Sequence, residues 1–153
     1  MTARKKVEKL HMFNIRYAEE KDKSFWLTLD KELSENEFIL KVRDKRGFII
    51  CDNEKPVGVM RYNFCWDIVP FLTFIHIDIP YQKKGLGKQA MLYWENEMKN
   101  LGYKMLMTST QVNEESQHFY RKLEYIDRGS IFLDGTPFSQ PQEMFLVKVI
   151  SVE

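Results

Sequence analysis

An inner strand that stops abruptly, followed by a glycine-containing turn into a helix, constrains the fold of this chain most. Residues 71–79 form its most apolar run, which predicts a central strand of a sheet. Pro80 must end the ladder of that strand, because proline has no N–H to donate. After a turn at residues 82–87, apolar residues recur at helical spacing as far as Leu101. The chain therefore places a helix start directly beyond the end of an inner strand.

This turn has the properties of an anion site. Backbone N–H groups at a helix start have no partner inside the helix, and the helix dipole adds partial positive charge there. Gly85 and Gly87 let a bulky anion approach the backbone, and Lys83, Lys84 and Lys88 add charge beside it. The pattern predicts a pyrophosphate site. It is neither a P-loop nor a dinucleotide fingerprint, because no Gly-Lys-Ser/Thr follows a four-residue gap and a third glycine is missing.

The remaining segments alternate between strand and helix around one sheet. Helices are expected from Lys21, from Ser34 to Gly47 and from Ser116, with Ser34 capping the second of them. The strand–helix–strand unit ending at residue 109 implies parallel pairing, and the other pairs are expected to be antiparallel. Period-two alternation and turn residues predict further strands at residues 13–17, 48–51, 57–64, 103–109, 126–133 and 143–150.

Composition excludes several classes of protein. A chain of 153 residues with 44% hydrophobic and 29% charged residues fits one compact domain over residues 1–153. The net charge of +1 supplies no field that would collect nucleic acid or an anionic membrane. The basic run from Arg4 to Lys6 is therefore predicted to be a frayed end rather than a nucleic-acid arm. No stretch reaches the ~20 apolar residues that span a bilayer, so no membrane partner is expected.

The cysteines and histidines predict neither a disulfide nor a metal site. Cys51 and Cys65 lack CxxC spacing, which favours two reduced thiols and a cytoplasmic protein. His11, His76 and His118 fall in three unrelated segments, so no metal is expected.

Two ordered motifs resemble those of the GNAT superfamily of N-acetyltransferases. Gln82, Gly85 and Gly87 match its phosphate loop, Gln/Arg-x-x-Gly-x-Gly/Ala after a strand that ends near a proline. Residues 113–125 look like its Asn-x-x-Ala/Ser-x-x-Phe-Tyr-x-Lys-Leu-Gly-Tyr/Phe. The resemblance covers about residues 71–129. It implies a GNAT fold, an α/β architecture whose mixed, mostly antiparallel sheet has about seven strands and whose helices number about four.

The resemblance also implies acetyl-CoA as cosubstrate, with no metal. The backbone of Ile77 and Ile79 would bind the pantetheine arm like an added strand, and one of these amides would face the thioester carbonyl. Amides of residues 83–88 would hold the pyrophosphate, and Asn113 would help to fix the pantetheine. The implied CoA-binding residues are Ile77, Asp78, Ile79, Gln82, Lys83, Lys84, Gly85, Leu86, Gly87, Lys88, Asn113, Ser116 and Tyr120.

The resemblance gives Tyr120 the role of protonating the departing CoA thiolate, although the residue could instead be a core aromatic. A free amine is mostly protonated at neutral pH, so a group must also accept a proton before attack. His76 and Asp78 are the candidates, on one face of their strand by alternation, and His76 could equally be a satisfied buried histidine. Members that acetylate protein N-termini carry a glutamate base where this chain has Thr108, which cannot serve.

One departure and the acceptor remain open at this level. Glu124 stands where the superfamily usually has glycine, so the helix either tolerates a left-handed residue there or exits differently. The acceptor is an amine-bearing small molecule or peptide, expected between residues 25–37 and 134–142. There Asp30, Glu32 and Glu35 could attract a cationic amine or form a solvated face. Transfer of another acyl group and a CoA-binding module without catalysis are the rival functions, and the chain is expected to be a monomer or homodimer.

Overall fold

The computed structural model describes residues 12–151; the basic run from Arg4 to Lys6 and His11 lie outside them. Within these residues the strands are β1 (Phe13–Tyr17), β2 (Gly47–Asp52), β3 (Lys55–Cys65), β4 (Val69–Ile77), β5 (Met105–Gln111), β6 (Ile126–Ile131) and β7 (Glu143–Val149). The α-helices are α1 (Lys23–Leu29), α2 (Glu35–Arg43), α3 (Leu86–Asn100) and α4 (Ser116–Lys122). None of the helices in this part of the chain has the length and apolar character needed to cross a bilayer.

All seven strands join one mixed sheet in the order β1-β2-β3-β4-β5-β7-β6. The predicted fold class is confirmed: the sheet is mostly antiparallel, and β4 occupies its centre. Only β4 and β5 pair in parallel, across the α3 connection, as the strand–helix–strand unit requires. The last strand, β7, lies between β5 and β6 and is antiparallel to both.

The two central strands pair over a short stretch and then part. Their parallel register contains only Phe71 opposite Met107 and Leu72 opposite Thr108, although both strands continue beyond these pairs. At the same level Thr73 is an extra residue in the ladder between β3 and β4, which makes a β-bulge. Beyond the bulge, residues 73–77 of β4 keep β3 on one side, and their other edge faces a gap.

Helices cover both faces of the sheet. The larger apolar cluster packs α3 and α4 against one face, here called the α3 face, and includes Trp94, Leu106 and Tyr120. The smaller cluster packs α1 and α2 against the opposite face, the α1 face, around Trp26 and Phe38. Because side chains alternate along a strand, the sheet contributes separate residues to each cluster.

Several element boundaries follow from local hydrogen bonds. The Ser34 Oγ accepts the Glu37 N–H at 3.1 Å, so the predicted cap of α2 is confirmed. The expected end of that helix at Gly47 is wrong. α2 stops at Arg43, Lys45 turns the chain at a φ of 55°, and Gly47 opens β2. A Cβ at Gly47 would lie 3.2 Å from the Trp26 ring, so glycine lets α1 pack closely on the sheet.

The strand predicted as residues 71–79 also ends earlier than expected, at Ile77. The Asp78 side chain accepts the Ile79 N–H at 3.0 Å and starts a 3-10 turn, Ile79–Tyr81, with Pro80 inside it. The strand predicted at residues 103–109 begins instead at Met105, because Gly102, at a φ of 94°, first closes α3.

Candidate active site

A cavity of about 650 Å³ opens where β4 and β5 part. Its walls come from the α1–α2 loop, both central strands, the first turn of α3 and the start of α4. The lining residues are Glu32, Thr73, Phe74, Ile75, His76, Ile77, Gln82, Gly87, Ser109, Thr110, Glu114, Ser116, Phe119 and Tyr120. The cavity therefore passes through the gap in the sheet, with one mouth on the α1 face and the other beside α3 and α4.

The free edge of β4 presents backbone groups to this gap. The Asp78 N–H donates to the Val57 carbonyl of β3 at 2.8 Å, so alternate residues of β4 direct their backbone towards β3. The intervening residues, Ile75 and Ile77, direct their N–H and C=O groups into the gap. The Gln82 amide occupies one of these groups, since its Nε2 donates to the Ile77 carbonyl at 2.8 Å. An extended ligand could pair with the remaining groups as an added strand.

The glycine turn forms a second, connected cavity of about 380 Å³. Lys83 and Gly85 take left-handed φ values of 62° and 81°, and Gly85 is the N-cap of α3. A Cβ at Gly87 would sit 3.4 Å from the Phe119 ring, so glycine allows the first turn of α3 to lie against α4. Four lining residues are common to this cavity and the larger one: Ile77, Gln82, Gly87 and Phe119.

The predicted pyrophosphate residues surround this second cavity. Gln82, Lys83, Gly85, Leu86, Gly87 and Lys88 all line it. Lys84 lies outside the lining, with its Nζ 5.5 Å from the centre of the Tyr81 ring. The N–H groups of the first turn of α3 have no partner within the helix. The arrangement can accept an anion at the helix start and lead the rest of the ligand along β4 into the gap.

Tyr120 lies at the point where the central strands separate. It is 6% exposed and lies beside Thr108, the last β5 residue paired with β4. Thr108 also donates to the Leu72 carbonyl at 3.2 Å. Burial raises the pKa of Tyr120, against a smaller opposing effect of the neighbouring Thr108 hydroxyl. The phenol is therefore protonated at neutral pH and can donate. Its ring also packs in the core, 5.9 Å from the Tyr125 ring.

The two candidate bases have different surroundings. His76 is half-buried and lines the cavity from the α1 face, with its ring 6.2 Å from that of Phe74. Asp78 does not line the cavity, because its carboxylate caps the turn after β4. Ile79, expected to continue the strand, is 76% exposed in that turn. Of these residues, the structure brings only His76 into the same cavity as Tyr120.

The second motif contributes Ser116 and, unexpectedly, Glu114. Ser116 Oγ and Thr110 Oγ1 are 2.6 Å apart, and Glu114 Oε2 lies within 3.5 Å of both hydroxyls. Asn113, predicted to fix the pantetheine, is exposed and outside the cavity lining. The next residue, Glu114, lines the cavity instead. Glu124 adopts a φ of 72°, so the helix tolerates a left-handed residue at its exit.

The three acidic residues expected near the acceptor differ in burial, in their partners and in whether they line the cavity. Asp30 is fully buried and accepts from Arg61 Nε at 2.8 Å. Burial alone would raise the pKa of Asp30, but the hydrogen bond and charge of Arg61 outweigh it and hold that pKa below its usual range. Glu35 is exposed and lies 3.7 Å from Lys23. Of these three acids, only Glu32 lines the cavity. What sets it apart from Asp30 is that Asp30 pairs with Arg61, a residue distant in the sequence.

The other expected acceptor wall does not reach the cavity. No residue of the 134–142 loop is among the lining residues. Phe74 of β4 lines the cavity although sequence reasoning did not select it, and the apolar alternation of β4 was the available signal. Among residues 12–151, no group of three or more His, Cys, Asp or Glu side chains could hold a metal ion.

Several solved structures of N-acetyltransferases share this fold. The N-acetyltransferase from Staphylococcus aureus superposes with a TM-score of 0.76 at 18% identity, covering 92% of this chain and 99% of that one. The ribosomal-protein-S18-alanine N-acetyltransferase from Escherichia coli gives 0.78 at 18% identity, covering 93% and 96%. The yncA protein from Salmonella typhimurium, solved with acetyl-CoA, gives 0.71 at 13% identity, covering 92% and 95%.

At these identities the likeness shows the fold alone. A search of curated protein sequences finds no match. The sequence model of the acetyltransferase (GNAT) family matches residues 10–125. Because that match extends over more than half of the sequence, this chain belongs to the acetyltransferase (GNAT) family of enzymes.

Proposed function

We propose that the chain transfers the acetyl group of acetyl-CoA to a primary amine by direct attack. The observation that carries this proposal is the continuity of the two cavities. An anion site at the start of α3 leads along the free edge of β4 to a buried, protonated tyrosine. A nucleotide thioester has these three parts in the same order: a pyrophosphate, an extended pantetheine arm and a carbonyl beside a sulfur.

The residues fit acetyl-CoA at each of these points. Amides of residues 83–88 would bind the pyrophosphate, with charge from Lys83 and Lys88. Backbone groups of Ile75 and Ile77 would pair with the amides of the pantetheine arm. Bound in this way, acetyl-CoA supplies an activated acetyl carbon, and the protein needs no covalent intermediate of its own. Neither Cys51 nor Cys65 is required as a nucleophile.

Three protein groups would assist the transfer. His76 accepts a proton from the amine, which makes its nitrogen a nucleophile. A backbone N–H of β4, from Ile75 or Ile77, stabilises the negative charge that develops on the carbonyl oxygen. The new C–N bond forms as the C–S bond breaks, and Tyr120 donates its proton to the leaving sulfur. The products are an acetylated amine and free CoA thiol, in equal amounts.

The test is incubation with acetyl-CoA and a panel of small primary amines. We expect free thiol and acetylated amine, identified by mass spectrometry, to appear in a one-to-one ratio. Calorimetric titration of CoA accompanies the assay. Tight CoA binding without any product would contradict catalysis and favour a CoA-binding module, whereas absence of CoA binding would remove the basis of the proposal. Faster turnover with another acyl-CoA would assign a different acyl group.

Two further expectations stay predictions. A cytoplasmic location agrees with the state of Cys51 and Cys65, neither of which forms a disulfide within residues 12–151. The oligomeric state, monomer or homodimer, is a question for light scattering.

A further inference from the structure

The two cavities differ in the charges of the residues that line them. Lys83 and Lys88 line the second cavity, at the glycine turn, where the phosphates of CoA would lie. The larger cavity contains two carboxylates, Glu32 and Glu114, and no lysine or arginine among the described residues that line it. The two carboxylates are separate within this cavity, because Glu114 lies beside Thr110 and Ser116 near α4 and Glu32 lies in the α1–α2 loop.

Glu32 belongs to the mouth opposite the proposed CoA entrance. Its neighbour Leu33 packs into the apolar cluster of the α1 face, which also contains Phe74. Tyr120 and the glycine turn lie towards the α3 face. A ligand that enters beside Glu32 therefore reaches His76 without crossing the path along which the pantetheine arm would lie.

The loop that carries Glu32 is held by hydrogen bonds to the buried Asp30 carboxylate. The Glu32 N–H and the Leu33 N–H both donate to Asp30 Oδ1 at 3.3 Å, and Trp26 Nε1 donates to Oδ2 at 3.1 Å. Asp30 is in turn paired with Arg61. The buried carboxylate is thus used within the protein, and it holds the backbone of Glu32 in one place at the mouth of the cavity.

The Glu32 side chain, by contrast, is available. It takes part in no salt bridge and no side-chain hydrogen bond within residues 12–151, whereas Glu35 lies near Lys23 and Glu114 interacts with Thr110 and Ser116. Arg61, the cation of the Asp30 network, is already paired with Asp30. A positive group on a ligand would therefore meet an uncompensated carboxylate.

Resting on the proposed function, we propose that the acceptor is an aliphatic amine that carries a second ammonium group, and that Glu32 determines this specificity. The amine that becomes acetylated lies at His76, and the second ammonium pairs with the Glu32 carboxylate at the mouth. The cavity of about 650 Å³ would hold this acceptor together with the end of the pantetheine arm.

The experiment compares α,ω-diaminoalkanes of increasing length with monoamines of the same length, by kcat/KM at saturating acetyl-CoA. The wild type should prefer the diamine at one or more lengths, and salt should weaken this preference. Glu32→Gln should lower the ratio of diamine to monoamine kcat/KM by about two- to fivefold, mainly through KM, because an ion pair with an exposed carboxylate is lost. Glu32→Asp should retain part of the ratio, and Glu35→Gln, an exposed acid outside the cavity, is the matched control.

Because the readout is a ratio, a variant with less folded protein still gives a valid answer. A ratio that is unchanged in Glu32→Gln, a loss of the same size in Glu35→Gln, or a wild-type preference for monoamines would refute the specificity role while acetylation itself continued. If neither diamines nor monoamines are acetylated, the proposed function and this inference both fail.

Discussion

Replacement of Tyr120 by phenylalanine removes the proposed proton donor and leaves the ring in the core. A positioned acid contributes roughly 10²- to 10⁴-fold to a rate, so kcat should fall by about that factor. This corresponds to about 3–5 kcal/mol of lost transition-state stabilisation. The KM for acetyl-CoA should change little, because the phosphate and pantetheine contacts come from other residues.

The structure predicts a much smaller effect of this substitution on folding. The neighbouring Thr108 hydroxyl keeps its hydrogen bond to the Leu72 carbonyl in this variant. The free energy of unfolding should therefore fall by about 1 kcal/mol. Since burial raises the pKa of Tyr120 above 10, its ionisation should cause no decline in wild-type kcat below pH 10.

The assay is steady-state thiol release at saturating amine, with urea denaturation of the same preparations. Tyr93→Phe is the matched control, because Tyr93 is a half-buried tyrosine of α3 that packs on Phe48 outside the cavity. An active wild type whose kcat survives Tyr120→Phe within twofold would refute the acid role. Equal losses in both variants would show a general effect of removing a tyrosine hydroxyl.

Three further substitutions or conditions test the framework of the site. Gly85→Ala should cost about 1 kcal/mol of unfolding free energy in urea, because the residue is left-handed, and should weaken acetyl-CoA binding by calorimetry. Asp30→Ala should cost about 3–5 kcal/mol, because it leaves the Arg61 charge without its buried partner. Burial favours a higher pKa for Asp22 and Asp30, but hydrogen bonds and charge from Arg16 and Arg61 hold both pKa values below normal. The stability that these two ion pairs give the folded protein is therefore complete above about pH 4 and is lost as the pH falls through the folded-state pKa values. Thermal melts from pH 7 to 2 would detect this loss as a falling Tm. A constant Tm over that range would contradict the prediction.

Local pattern was sufficient for those parts of the site that one segment specifies. The glycine turn and the helix after it depend on the local conformation of Gly85 and its neighbours, and the residue types in this segment are enough to predict them. Ser34 and its cap on α2 are of the same kind. Tyr120 was found through a motif within one short helix, and its burial follows from the apolar residues around it.

The remaining features depend on contacts between distant segments. The position of β7 between β5 and β6 is set by packing, and no local signal distinguishes it from the reverse order. Sequence alone could not separate Glu32 from Asp30, because the difference is the pairing of Asp30 with Arg61 of β3, a residue distant in the sequence. The inward turn of Glu114 in place of Asn113 likewise depends on hydroxyl groups contributed by β5 and α4.

Amide hydrogen exchange of the wild type, with and without acetyl-CoA, tests the proposed location of the cosubstrate most directly. It needs no knowledge of the acceptor. The predicted result is slower exchange at residues 83–88 and at Ile75 and Ile77, with little change at β1 and β6. Protection in other segments, with no effect on these amides, would contradict the placement of acetyl-CoA in the gap between β4 and β5.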